Sequence, residues 1–162
     1  METHQILELD KAECLQLLST APFGRIVYTR QALPAVRLAN HALIDGDLVM
    51  AADLGLRDQL ASAGTIVAYH ADGMDSARQA GWSVVAIGRA FGAGEELSRR
   101  YRAVARPWLD PSSQVITVHA ELATGFRLLP APEHSHDGPR PLAIPQADTA
   151  LAKVPARRYP GP

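Results

Sequence analysis

The chain has 162 residues, and its 16 Lys and Arg stand against 17 Asp and Glu, which gives a formal net charge of −1. This balance argues against a nucleic-acid binder and a polybasic membrane anchor, because both need an excess of cations. The single cysteine excludes an internal disulfide framework, and the sequence has no bilayer-spanning apolar run and no apolar leader, so we expect a cytoplasmic protein.

The first predicted element is a helix that begins after Asp10. Asp10 can cap this helix, and Glu13 three residues later completes a capping-box pattern. Cys14 lies on the apolar face, where a thiol behaves as a small hydrophobic group. Pro22 and Gly24 predict the end of the helix.

Short strands joined by tight turns are predicted next. A strand over 24–29 leads into a hairpin turn at Gln31-Ala32-Leu33. A long or bent strand over 34–44 follows, and Asp45-Gly46-Asp47 is typical of a tight turn before a returning strand over 48–52.

The middle of the chain adds a long strand over 82–91, in which Gly88 indicates a bulge or a barrel corner. A second helix is predicted over 95–104. The other elements predicted here are a short helix over 57–62, a strand over 65–70 and a polar loop over 72–81.

The last predicted strands span 115–120 and 124–129. Residues 130–162 hold eight of the 12 prolines, so we expect a proline-rich tail there and a folding unit over 1–129. The strands follow one another through short turns without regular strand–helix alternation. The predicted fold is therefore mainly β (α+β), a six- to seven-stranded antiparallel split β-barrel with two or three short helices.

The side chains that could carry chemistry form no catalytic motif: there is no nucleophile elbow, P-loop or zinc-protease signature. The sequence therefore identifies no catalytic residue. His134, His136 and Asp137 could bind a transition metal, but they fall in the predicted tail, and we interpret them as solvated. Three lone histidines are interpreted as hydrogen-bonded core or rim residues: His41, His70 and His119.

Three segments in this order resemble one family. They are Gly24 to Val27 (GRIV), Pro34 to His41 (PAVRLANH) and Gly81 to Ala90 (GWSVVAIGRA). Together they are similar to the pyridoxamine 5′-phosphate oxidase-like proteins, which are flavin-binding split β-barrels, and most like the small actinobacterial type. The first helix and Arg106-Pro107-Trp108 also fit, so the resemblance covers about residues 5–128.

The resemblance implies a homodimer with two FMN sites at its interface, each touched by both chains. It implies that the backbone of Arg37, Leu38, Ala39 and Asn40 holds the edge of the flavin ring. It also assigns Trp82 and Ser83 to the site, with Trp82 at or near the interface.

The resemblance places the flavin phosphate on a loop that starts at Met50. Family loops carry an arginine, a hydroxyl residue and then a lysine, whereas this chain has Ala51, Ala52 and Arg57 at those positions. One charged and one neutral hydrogen bond are lost, which removes roughly 2.5–4 kcal/mol of binding free energy. Arg25 or Arg37 could compensate.

Three functions remain open at this point. The first is an FMN-binding flavoprotein, a flavin-dependent oxidoreductase of unknown substrate. The second is a split barrel that has lost FMN and binds the deazaflavin F420 or haem, which Ala51 and Ala52 favour. The third is a non-catalytic homodimer whose proline-rich tail recruits a partner. Pyridoxamine phosphate is not inferred as a substrate, because no matching substrate-phosphate site is found.

Overall fold

The computed structural model describes residues 5–52, 60, 64–105 and 113–130. Four predictions lie largely outside these residues: the Arg106-Pro107-Trp108 segment, the tail with its histidines, Arg57 and its neighbours in the phosphate loop, and the helix over 57–62, of which only Leu60 is described. The boundary between a folding unit and a tail therefore stays a prediction.

One antiparallel sheet holds all the described strands. Its strands are β1 Gln5–Leu9, β2 Gly24–Arg30, β3 Leu33–Ala39, β4 His41–Ile44, β5 Asp47–Ala52, β6 Thr65–Asp75, β7 Ala80–Gly92 and β8 Gln114–Leu129. The two helices are α1 Lys11–Thr20 and α2 Glu95–Val104. No helix in the described part of the chain is long and apolar enough to cross a membrane.

The strand order explains the shape of the sheet. The order is β3-β2-β6-β7-β8-β5-β4, and β1 pairs with the far end of β8. The outermost strands of this order, β3 and β4, are consecutive in the chain and joined by Asn40 alone. The sheet therefore curls into a half-barrel, which confirms the predicted mainly-β antiparallel split-barrel class.

The helix α1 begins as its capping box predicts. The Asp10 carboxylate accepts from the Glu13 amide at 2.8 Å, and the Asp10 amide donates to the Glu13 carboxylate at 2.9 Å. Cys14 and Leu18 are fully buried and reach the apolar core on the inner face of the sheet. Burial raises the pKa of the Cys14 thiol, which agrees with its interpretation as a hydrophobic group.

The second helix covers part of the outer face of the sheet. Tyr101 of α2 packs on Val49, Ala51 and Val115, and all four side chains are buried. The Arg100 guanidinium forms two hydrogen bonds, of 2.5 and 3.0 Å, with the Asp45 carboxylate in the β4–β5 turn. These contacts hold α2 over β4, β5 and the beginning of β8.

A bulge in β8 sits where Gly88 predicts one. The pairing between β7 and β8 shifts between Ile87 and Gly88, so that Glu121 has no opposite residue. A Cβ atom on Gly88 would lie 1.7 Å from the His119 carbonyl oxygen, which only a glycine avoids. The alternation of buried and exposed residues changes phase at the bulge, but pairing with β7 continues on both sides of it. The predicted strands 115–120 and 124–129 are therefore one strand.

Two local predictions are wrong. Residues 72–81 are not a loop, because β6 continues to Asp75 and β7 begins at Ala80. The β1 strand, which brings the count to eight, was not predicted, since its pairing with Gly125 to Leu129 joins distant parts of the chain. Pairing overrides local composition in both cases, between distant segments for β1 and within a hairpin for β6 and β7.

Candidate functional site

The residues predicted to hold a flavin form two separate groups in one chain. Arg37, Leu38 and Ala39 end β3, Asn40 follows them, and Ala51 and Ala52 end β5. Trp82 and Ser83 lie on β7, which β2 and β6 separate from β3. Three strand spacings amount to about 14 Å. Arg57 lies outside the described residues.

The first group contains the corner of the half-barrel, which we define as Ala39, Asn40 and His41. The chain passes here from one outer edge of the sheet to the other. Asn40 is 7% exposed and His41 is 8% exposed, although both are polar. Buried polar groups need hydrogen-bond partners, and two tyrosines supply them.

Tyr69 approaches the corner from inside the barrel. Its hydroxyl donates to the Ala39 carbonyl oxygen at 2.9 Å and lies 2.7 Å from Nδ1 of His41. The Tyr69 and His41 rings meet edge to face with centroids 4.9 Å apart. Burial is the main cause that raises the pKa of Tyr69, so this hydroxyl keeps its proton at neutral pH.

Tyr101 approaches the corner from α2, on the outer side of the sheet. Its hydroxyl lies 3.1 Å from the Asn40 carbonyl oxygen and 3.3 Å from Oδ1 of the same residue. Burial raises the pKa of Tyr101, and the hydroxyl therefore acts as a donor to both oxygens. The backbone and the side chain of Asn40 thus share one donor.

His41 connects the corner to α1. Its Nε2 lies 2.7 Å from the Leu18 carbonyl oxygen, which can only accept, so Nε2 carries a proton. Burial lowers the pKa of His41. In the neutral ring Nδ1 is then an acceptor, and the single Tyr69 hydroxyl proton serves both Nδ1 and the Ala39 carbonyl oxygen.

Ala51 and Ala52 lie in β5 and not in the predicted loop. Ala51 is 3% exposed beneath Tyr101, and Ala52 faces the inner core. Because both side chains are enclosed by apolar neighbours, neither can contact a phosphate. This packing gives a physical reason for alanine where the family pattern has an arginine and a hydroxyl residue.

The second group lies on the other side of the half-barrel. The Trp82 indole covers Gly73 of β6, where a Cβ atom would lie 2.7 Å from Nε1 of Trp82. The Ser83 hydroxyl lies 3.0 Å from Nε2 of His70. Ser83 also lines a groove of about 530 Å³, whose walls include Leu9, Val85 and Phe126. His70 is thus hydrogen-bonded, as the sequence analysis predicted.

The backbone of the first group suits the edge of a flavin ring. In the part of the chain that the structure describes, β3 pairs only with β2, so no described strand covers its other edge. Arg37 and Leu38 are exposed on this strand. The assignment of these residues to the flavin ring stays a prediction, and Ala51 and Ala52 supply no cation for a phosphate.

The network of His41, Tyr69 and Tyr101 was not found by sequence analysis. These residues come from β4, β6 and α2 and meet only in the folded chain. A polar histidine directly after Asn40 was the one local signal, and by itself it indicated only a satisfied core residue.

Comparison with known proteins gives the following matches. The family model for pyridoxamine 5′-phosphate oxidase matches residues 10–129. An uncharacterised protein of Mycobacterium tuberculosis, Rv0080, is 36% identical over 132 residues, which cover 77% of this chain and 87% of the relative.

Solved structures with the same fold share less sequence. An FAD-binding protein from Mesorhizobium loti has a TM-score of 0.65 at 20% identity, covering 75% of this chain and 97% of its own. An FAD- and haem-binding protein from Mycobacterium smegmatis has a TM-score of 0.58 at 13% identity, covering 91% and 94%. At these identities the likeness shows the fold alone.

Proposed function

The chain belongs to the pyridoxamine 5′-phosphate oxidase family, and we propose that it is a flavin-binding member that works as a homodimer, with FMN as the cofactor. The observation that carries the proposal is the edge position of β3, which pairs with β2 alone among the described strands and ends in the buried corner. The FAD-binding proteins of the same fold support a flavin in general. A single buried cysteine is compatible with the cytoplasmic location that we propose.

The proposal of a homodimer rests on an apolar row across the outer face of the sheet. Strand pairing aligns five residues in this row, one from each of five neighbouring strands: Val36, Val27, Ala68, Ile87 and Leu122. Val36 is 53% exposed and Leu122 is 51% exposed. Contiguous apolar surface of this kind marks an interaction site, and a second copy of the chain is the partner we propose.

A homodimer would also bring the two groups of predicted site residues together. Within one chain they are separated by two strands, so a flavin on the edge of β3 can meet Trp82 and Ser83 only if the partner subunit supplies them. We therefore propose that Arg37 to Asn40 of one subunit and Trp82 and Ser83 of the other form the walls of each site.

The flavin, when bound, would supply the electron-transfer chemistry of an oxidoreductase. The residues of this chain would bind and orient it. The β3 edge would hold the ring, and the apolar side chains of the interface would exclude water from it.

Arg57 is the residue we propose as the main phosphate contact, because residues 51 and 52 are buried. We expect Arg57→Ala to weaken FMN binding by about 1.5–3 kcal/mol, the value of a charged hydrogen bond. Fluorescence titration with FMN and with FAD measures this change. Arg99→Ala is the matched control, since Arg99 pairs with Glu96 on the surface of α2.

The visible spectrum of the purified protein tests the cofactor itself. Bound flavin gives two absorption bands and a yellow colour, whereas F420 gives one band and haem gives a Soret band. A colourless protein that also fails to bind added FMN or FAD would contradict the proposed function and favour a non-catalytic homodimer.

A further inference from the structure

We propose that Tyr69 and Tyr101 are positioning residues for the flavin: their hydroxyls fix the Ala39 and Asn40 carbonyls, so that the β3 edge has its binding geometry before the ligand arrives. This inference rests on the proposed function. Neither tyrosine needs to touch the flavin, because each acts through the backbone of the corner.

The position of the corner makes such support necessary. Asn40 lies between two strands that end the sheet on opposite sides, and strand pairing in the described residues ends at Ala39 and resumes at His41. A segment between strands loses the ladder that orders its neighbours. The carbonyls of residues 39 and 40 accept instead from tyrosine hydroxyls, and the loss of a donor to a buried acceptor is unfavourable.

The two hydroxyls hold the corner from opposite sides. Tyr69 donates from the inner face at 2.9 Å, and Tyr101 donates from α2 on the outer face at 3.1 Å. Both tyrosines are fully buried, so packing fixes their rings, and the hydroxyls cannot follow a carbonyl that moves. The two contacts therefore restrict the peptide groups that contain the Ala39 and Asn40 carbonyls.

A fixed binding edge raises affinity through preorganisation. A ligand that binds a mobile backbone must order it, and that cost is subtracted from the binding free energy. The hydroxyls remove this cost beforehand. Their loss should therefore weaken flavin binding even though no flavin contact is removed.

The test compares Tyr101→Phe with Tyr28→Phe. Tyr28 is also a buried tyrosine, but it belongs to the inner core and forms no contact with the corner among the described interactions. We expect Tyr101→Phe to raise the Kd for FMN roughly 3- to 10-fold, the range of one neutral hydrogen bond. Tyr28→Phe should leave the Kd within about 2-fold of the wild type.

Hydrogen exchange of the flavin-free proteins provides the second measurement. Tyr101→Phe should lose protection at the amides of residues 39–41, and saturating FMN should restore it. Tyr69→Phe, which also leaves Nδ1 of His41 without its donor, should lose more protection at the same amides.

The outcomes separate this inference from the proposed function. If Tyr101→Phe changes neither the Kd for FMN nor the exchange at residues 39–41 more than Tyr28→Phe does, the inference is overturned. If the wild type binds neither FMN nor FAD, the proposed function fails. In that case hydrogen exchange alone tests whether the hydroxyls order the corner. Unchanged exchange at residues 39–41 in Tyr101→Phe would overturn this inference as well.

Discussion

The outer face of the sheet has two halves with the same apolar character and different cover. In one half, Val49 and Ala51 of β5 lie under α2 and are buried. In the other half, Val36 and Leu122 stand in the apolar row and are about half exposed. An alternating strand pattern predicts which residues face outward, but it does not say what covers them. Helix α2 covers the first half within the chain, and we propose that a second copy of the chain covers the other half.

The largest effect is expected in the covered half. Ala51→Arg places a charge among the apolar side chains under Tyr101, and we expect it to lower the free energy of unfolding by about 3–5 kcal/mol. The family pattern alone would favour tighter flavin binding from this arginine. Urea unfolding measures the change, and Val104→Arg is the control because Val104 is 69% exposed on α2. An Ala51→Arg protein as stable as this control would show that the cluster is not closed.

The next effect is expected in the open half. Leu122→Arg should weaken the proposed homodimer at least roughly 100-fold, because the symmetry axis introduces the charge twice into the interface. The folded subunit should persist, since Leu122 is half exposed in the single chain. Light scattering across a range of concentrations measures the mass, with Val104→Arg again as control. A wild type that is monomeric at micromolar concentration, or a variant with unchanged mass, would contradict this assignment of the row.

The smallest effect is the pH dependence of stability caused by His41, the last residue of the corner between β3 and β4. Burial lowers its pKa in the folded state below the ordinary value of 6.5, so the unfolded chain takes up the proton first as the pH falls. Stability is therefore complete above about pH 7 and decreases as the pH falls through 6.5 toward the lowered value, by at most about 1.4 kcal/mol per pH unit.

The measurement for His41 is the urea midpoint between pH 8 and pH 5. His41→Gln should flatten the decrease, because it removes the buried ring whose pKa folding lowers. The same slope in wild type and His41→Gln would mean that another group causes it.

The sequence predicted the elements that local chemistry specifies. The capping box of α1 and the turn at Asp45 and Gly46 depend on neighbouring residues alone, and both occur where predicted. The Gln31-Ala32 turn also occurs, with positive φ at both residues. The β1 strand was not predicted because its pairing partners lie far along the chain. The β6–β7 extension was not predicted because polar residues form this hairpin and their composition is typical of a loop.

The site was predicted less completely than the fold. Resemblance selected Arg37 to Asn40, and the structure places Arg37 to Ala39 at the end of an edge strand with Asn40 directly after it. It could not indicate that Ala51 is buried, because Tyr101, which buries it, lies 50 positions later. The contacts of Tyr69 and Tyr101 with the corner are likewise tertiary, and no spacing along the chain encodes them.

The bulge at Glu121 determines how the gene can tolerate change. Glu121 is the extra residue that lets Val118 and Ala120 face inward before it and Ala123 face inward after it. Loss of this single codon would remove the bulge and leave strict alternation, with Ala120 inward, Leu122 outward and Ala123 inward as before. Substitution of the exposed Glu121 side chain leaves that phase untouched. At this position β8 should therefore tolerate both substitution and loss of one residue, whereas deletion of one residue from the regularly paired part of the strand would turn the following side chains to the opposite face.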